Sequence, residues 1–105
     1  MPRIDAEIRM EGGRSADLKL GSVYFTRSSQ LTAMNMEIGH PDKDGKFSVS
    51  LIPGEYSIRF DASISKLGIR SIAMGDEPIA DWKIWVAESS GTKKLGIIVG
   101  SKPQP

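Results

Sequence analysis

Cysteine is absent from the 105 residues of this chain. Its absence excludes disulfides, thiolate catalysis, iron–sulfur clusters and cysteine-ligated zinc sites. Long apolar runs are absent too, and every run falls far short of the ~20 residues that cross a bilayer. No membrane insertion is therefore expected.

Clusters of one charge are also missing. The chain carries 14 basic and 13 acidic residues, and its densest basic run is the pair Lys93-Lys94. Because nucleic-acid binding depends on a concentrated positive surface, no nucleic-acid partner is expected.

Catalytic side chains are sparse. The only histidine is His40, in the loop Gly39-His40-Pro41-Asp42. A catalytic imidazole needs an orienting carboxylate and a nucleophile or metal beside it, whereas Ser48 and Ser50 are expected to point away along a strand. The sequence therefore predicts no catalytic residue, no cofactor and no enzyme activity. His40 is either a solvated loop residue or a contact for a ligand or partner.

The length fits one domain, which we place at residues 1–101, with a linker or tail at residues 102–105. The first ten residues enter a strand-like pattern at once, without a basic and then apolar signal segment. Two interpretations follow: a cytoplasmic protein, or a module of a longer exported chain located in the periplasm, at the cell surface or outside the cell. The linker-like tail favours the exported module.

Apolar residues recur with period two, and no segment has convincing helical periodicity. The pattern predicts seven or eight short strands separated by turn signals about every ten residues, which is typical of an all-β sandwich. The expected strands lie near residues 4–10, 18–27, 33–38, 46–51, 55–60, 67–74, 82–86 and 94–99.

The clearest alternation is in DGKFSVSLIPGEYSIRF, residues 44–60. Two runs flank Pro53-Gly54, which suits a type II turn because Pro presets φ and Gly accepts a positive φ. The pattern predicts an antiparallel hairpin. Its core-facing residues are expected to be Phe47, Val49, Leu51, Tyr56, Ile58 and Phe60.

The same stretch resembles a known family. Asp44-Gly45-Lys46-Phe47, followed by Pro53-Gly54 and Tyr56, is similar to the "DG-x-F … PG-x-Y" signature of carboxypeptidase-regulatory-like domains. Residues 68–72 and 75–79 also look like one bacterial variety of this module. The resemblance implies an antiparallel, Greek-key, transthyretin-like (prealbumin-like) β-sandwich. It also implies a non-catalytic accessory unit in a larger protein.

Asp42 and Asp44, followed by Gly45, form the beginning of an EF-hand-like calcium loop. The remaining ligands are missing, and Pro53 occupies the twelfth position, where such a loop has Glu. Asp and Gly also favour turns by themselves, because Asp hydrogen-bonds the local backbone. The pair is therefore either a weak calcium site or a turn.

Trp82 and Trp85 are three residues apart, so they lie on opposite faces if both belong to one strand. Trp82 shares its face with Ile84 and Val86 and is expected in the core. Trp85 is expected to be at least partly exposed. It either packs against a loop or contacts a neighbouring domain or ligand.

These observations predict a non-catalytic structural or protein-interaction module of a larger exported bacterial protein. Its partners would be neighbouring domains of the same chain or another protein. The alternative is a carbohydrate- or ligand-binding module centred on Trp85, with loop residues such as His40 and Asp42.

Overall fold

A computed structural model describes residues 2–12, 14–15, 21–27, 36–88 and 91–100. Two β-sheets face each other, and one short helix joins two strands. The elements in chain order are β1 (Arg3–Met10), β2 (Arg14–Ser15), β3 (Val23–Arg27), β4 (Met36–Gly39), β5 (Lys46–Ser50), β6 (Gly54–Phe60), α1 (Ala62–Ser65), β7 (Ile69–Met74), β8 (Glu77–Pro78), β9 (Lys83–Val86) and β10 (Thr92–Val99).

The six-stranded sheet has the order β2-β1-β10-β7-β8, and β5 pairs with β1 on the side that β2 also occupies. The four-stranded sheet has the order β4-β3-β6-β9. The predicted all-β sandwich is confirmed at this level. The predicted tail at residues 102–105 lies outside the described residues. The described part of the chain contains no helix long and apolar enough to cross a membrane.

The core lies between the sheets and is made of inward-facing residues from both. Because successive side chains alternate between faces, the period-two pattern supplies one apolar face per strand. A fully buried aliphatic or aromatic side chain contributes about 1.5–3 kcal/mol. The predicted core residues of the residue 44–60 segment are confirmed: five are buried, and Phe60 packs partly buried against them. The buried hydrophobic residues that form the core of the described chain are Ile4, Ala6, Ile8, Val23, Phe25, Phe47, Val49, Leu51, Tyr56, Ile58, Ile64, Leu67, Ile72, Ile84, Val86, Leu95, Ile97 and Val99.

The first and last described strands pair in parallel. β1 and β10 align over eight residues, from Arg3 opposite Thr92 to Met10 opposite Val99. The expectation of a purely antiparallel sandwich is therefore wrong for this pair. Alternation along a strand fixes which side chains face inward, but it carries no information about the direction of the neighbouring strand.

The predicted hairpin is wrong, although both of its strands exist. β5 pairs with β1 in the six-stranded sheet, whereas β6 pairs with β3 and β9 in the four-stranded sheet. The Pro53-Gly54 segment thus crosses from one sheet to the other. Gly54 is the first residue of β6 and has φ 153°, far from the value near +80° that a type II turn requires.

The two-residue strands β2 and β8 were not expected from the sequence, and neither was the helix α1. Asp61 caps it, with Oδ1 accepting a hydrogen bond from the Ser63 N–H at 3.1 Å, and Ile64 is buried in the core. Four residues make barely one turn, so no helical periodicity can develop. Of the other predicted strands, those expected at residues 4–10 and 94–99 are found in longer form, and those expected at residues 67–74 and 82–86 are found in shorter form. The parts expected at residues 18–20 and 33–35 lie outside the described residues.

Candidate interaction surface

Strand β9 forms one edge of the four-stranded sheet and pairs with β6 on one side. Trp85 lies opposite Glu55, and Lys83 lies opposite Ser57. The Ile58 N–H donates to the Trp82 carbonyl at 2.8 Å. Because hydrogen-bonded pairs alternate in an antiparallel ladder, the backbone groups of Lys83 and Trp85 point away from β6. They point toward the side of β9 on which no described strand pairs, which we call the free edge.

Trp85 also projects its side chain outward. Its exposure is 73%, the largest of any big hydrophobic side chain in the described chain. Ile84 and Val86, its neighbours in β9, are buried. The expected exposure of Trp85 is thus found, and none of the described loops covers its indole.

Asp81 and Trp82 fix the point at which the chain enters β9. The Asp81 carboxylate accepts a hydrogen bond from the Lys83 N–H at 3.1 Å. Trp82 has φ 58° and lies just before the strand rather than within it. Its half-buried indole packs edge to face on Phe60. The two tryptophans therefore face opposite ways, as predicted, but Trp82 packs at the border of the core rather than inside it.

The outer face around Trp85 is amphipathic. Glu55 is its cross-strand neighbour, and Lys83 lies two residues away on the same face. An exposed indole, flanking charges of both signs and a strand edge that pairs with no other described strand together suit a polypeptide partner. An extended segment added to the edge would make main-chain hydrogen bonds while its side chains met Trp85.

His40 lies far from this surface. Its Nδ1 is 3.2 Å from the Ser22 hydroxyl, at the end where β3 begins, and the ring is exposed. It follows β4, which is the edge of the four-stranded sheet opposite β9. The structure therefore does not bring His40 and Trp85 together. The expected ligand site combining the two would have to span the whole sheet.

Asp42 organises the turn before β5. Its Oδ1 accepts hydrogen bonds from the Asp44 N–H at 2.8 Å and the Lys46 N–H at 3.0 Å. These backbone bonds hold the pKa of Asp42 below its ordinary value, and the bond from the Lys46 N–H has the larger effect. Gly45 completes the turn with φ 79°. Of the two alternatives that the sequence left open, this geometry is that of a turn, because the Asp42 carboxylate accepts backbone N–H bonds.

Calcium would need more ligands than this turn brings together. Within the described ranges, no group of three or more His, Cys, Asp or Glu side chains is placed to hold a metal ion.

An open groove of about 650 Å³ crosses the outer face of the six-stranded sheet. Two of its carboxylates are paired with arginines: Arg3 Nε lies 2.9 Å from Asp5, and Arg9 Nε lies 3.0 Å from Glu7. The third, Asp42, accepts backbone N–H bonds. The hydrogen bond from Arg3 holds the pKa of Asp5 below its ordinary value, and the Ser48 hydroxyl adds to the effect. The Ser48 hydroxyl donates to the Asp5 carboxylate at 2.8 Å, but Arg3 holds the same carboxylate, and these exposed charges form a solvated face.

Sequence reasoning missed Asp81 as a backbone cap and missed the groove. The signal for Asp81 was present, because an Asp two residues before a strand residue is a common side-chain cap of the backbone. The groove depends on which strands are neighbours, and the period-two pattern does not encode that.

Comparison with known proteins yields no match: no protein-family model, curated protein or solved structure matches this chain. The resemblance to carboxypeptidase-regulatory-like domains therefore stays a prediction. The candidate surface rests on the geometry of β9 alone.

Proposed function

We propose that this chain is a non-catalytic structural or protein-interaction module of a larger exported bacterial protein. In this proposal the two sheets form a Greek-key sandwich of the transthyretin-like, carboxypeptidase-regulatory-like type. The observation that carries the proposal is the 73% exposed Trp85 on the free edge of β9. The partner is an extended segment of a neighbouring domain or of another protein.

The partner segment adds to β9 as a further strand. Trp85 offers its N–H and carbonyl, and Lys83 offers its carbonyl, because these groups face the free edge. The indole of Trp85 then covers the side chains of the added strand. Aromatic residues of this kind carry much of the energy of an interface, and truncating one costs roughly 2 kcal/mol or more.

The placement of reactive groups supports a role without catalysis. In the described chain, the carboxylates of Asp5 and Asp42 are held by hydrogen bonds at the surface. The Tyr56 hydroxyl is buried and donates to a backbone carbonyl at 2.6 Å. His40 lies at the opposite edge of the sheet from Trp85. These groups do not converge on one point, which a catalytic centre requires.

The test uses peptides selected from a random displayed library against the 105-residue chain. Trp85→Ala should weaken binding of the selected peptides at least about tenfold. Ile98→Ala is the matched control, because Ile98 is 40% exposed on the other sheet. Amide resonances of β9 should move on binding. A selection that yields no peptide, or peptides indifferent to Trp85→Ala, contradicts the interaction role.

Export is tested separately, by fractionating cells that carry the tagged full-length gene product. We expect the product in the exported fractions. Recovery in the cytoplasm would contradict that part of the proposal and leave the peptide result standing.

Carbohydrate or small-ligand binding is the second candidate, favoured by the same exposed indole, since sugar rings pack on flat aromatic surfaces. Tryptophan fluorescence across a glycan panel tests it. Trp82→Phe leaves Trp85 as the sole indole, so any shift or quenching then reports on the candidate surface. A silent panel removes this function.

A further inference from the structure

The parallel pairing of β1 with β10 determines how the domain responds to tension. Arg3 begins β1 beside Thr92, which begins β10, and Met10 ends β1 beside Val99, which ends β10. A segment that precedes Arg3 and a segment that follows Val99 therefore leave the pair at opposite ends. Tension between these segments pulls β1 toward its amino end and β10 toward its carboxyl end.

Such tension acts along both strands and in opposite directions. The evenly spaced hydrogen bonds of a parallel pair are then strained together, rather than broken one after another from an end. We propose that the β1–β10 pair is a mechanical clamp, so that the module carries tension between neighbouring parts of a longer chain. This inference rests on the proposed function as a module of such a chain.

The pair is reinforced at both ends by further backbone bonds. The Arg3 N–H donates to the Gly91 carbonyl at 3.0 Å, and the Glu11 N–H donates to the Val99 carbonyl at 2.7 Å. The hydrogen-bonded ladder thus extends beyond the eight aligned residue pairs. Both its first and its last bonds lie under the same load.

Neither clamp strand is an edge strand. β5 pairs with β1 along Arg3–Glu7, and β7 pairs with β10 along Leu95–Val99. Sliding β1 past β10 would therefore disturb the hydrogen bonds of three strand pairs: β1 with β10, β1 with β5, and β10 with β7.

The core also opposes sliding. Alternate residues of both strands are buried against the other sheet, and a slip of one residue would turn every one of them toward solvent. These residues are Ile4, Ala6 and Ile8 in β1, and Leu95, Ile97 and Val99 in β10.

The absence of native cysteine makes the test direct, because engineered cysteines become unique attachment points. Arg3→Cys with Ile98→Cys loads the pair mainly along the strands. Arg3→Cys with Thr92→Cys places both attachments at one end, so the same pair opens one bond at a time. All three positions are exposed, and both variants share the loss of Arg3.

Single-molecule force spectroscopy at one pulling speed compares the two double variants. We expect the rupture force along the strands to be at least about twice the force across them, since all the ladder bonds are loaded together. Equal forces, or a lower force along the strands, overturn the clamp. Thermal melting of both unattached variants checks that each is folded.

This measurement does not involve β9 or any partner. A failed clamp leaves Trp85-dependent peptide binding intact, whereas a failed peptide selection leaves the force ratio unchanged. The two outcomes therefore separate the clamp from the interaction role.

Discussion

The indole of Trp82 meets the ring of Phe60 edge to face, with ring centroids 5.3 Å apart and ring planes at 89°. Phe60 ends β6, and Trp82 immediately precedes β9. Trp82 adopts a left-handed φ of 58°, which costs a residue other than glycine about 1–2 kcal/mol. An edge-to-face pair contributes about 0.5–1.5 kcal/mol beyond burial. Ring packing thus holds a strained residue at the start of the edge strand.

Trp82→Ala should lower the free energy of unfolding by about 2 kcal/mol, since it removes a half-buried ring but leaves the strained backbone. Trp85→Ala is the matched control and should change it by no more than about 0.5 kcal/mol, because Trp85 is exposed. Urea denaturation followed by circular dichroism measures both. A cost of about 2 kcal/mol for Trp85→Ala as well would mean that Trp85 is packed, and the candidate surface would not exist.

Gly54→Val should destabilise the domain by roughly 1–3 kcal/mol through backbone strain. Gly54 has φ 153°, and an added Cβ would lie 2.9 Å from Arg27 Nε. The Arg27 guanidinium also donates from Nη2 to the Pro53 carbonyl at 3.0 Å, so moving it aside breaks a hydrogen bond. Thermal unfolding measures the change, and a variant that melts like the parent refutes the assigned geometry of the sheet-to-sheet crossing.

Gly96→Thr should have the opposite effect and raise the free energy of unfolding by about 0.5–1 kcal/mol. Gly96 lies within β10, where glycine weakens a strand, and an added Cβ would meet no atom within 4 Å. Chemical denaturation against the parent measures the gain. A loss of stability would show that the outer groove above Gly96 is not open space.

The Asp42 carboxylate should make the free energy of unfolding depend on pH in the acidic range. Because its pKa in the folded protein lies below the ordinary value of 3.8, its contribution is complete above that value. The contribution is lost as the pH falls through the lowered pKa. Asp42→Ala should therefore destabilise at pH 7 and lose less stability than the parent on acidification. Asp42→Asn keeps an acceptor oxygen and should fall between the two in urea titrations at several pH values.

Calcium provides a separate test of the same turn. With Asp42 engaged by the Asp44 and Lys46 N–H groups, added Ca²⁺ should leave the melting temperature unchanged. A rise with Ca²⁺ that disappears in both Asp42→Ala and Asp44→Ala would instead establish the calcium site.

The core could be predicted from the sequence because burial depends on alternation within one strand. Phe47 and Val49 face inward whichever strand lies beside them, and the same holds for Ile58. The partner of each strand could not be predicted. The runs on either side of Pro53-Gly54 present apolar faces to one core from two different sheets, and a hairpin would give the same pattern.

The candidate surface was predictable to the same extent. Trp82 packs against the core and Trp85 is exposed, as expected, although Trp82 precedes β9 and the premise that both belong to one strand does not hold. The free edge of β9 follows from sheet order, and the left-handed Trp82 follows from tertiary packing. The alternation of apolar and polar residues predicts neither the free edge of β9 nor the left-handed φ of Trp82. The separation of His40 from Trp85 likewise depends on which strands form the two edges.

Asp81 has a consequence for the solubility of the isolated domain. An unpaired strand edge is a template for pairing with other chains and hence for aggregation. By accepting the Lys83 N–H, Asp81 removes one donor from the short edge of β9 and leaves Trp85 to supply the remaining N–H. The positive charge of Lys83 repels a second copy in the same place. Asp81 and Lys83 thus oppose edge-to-edge pairing of the isolated domain, and the backbone groups of Trp85 remain available for the partner strand that we propose.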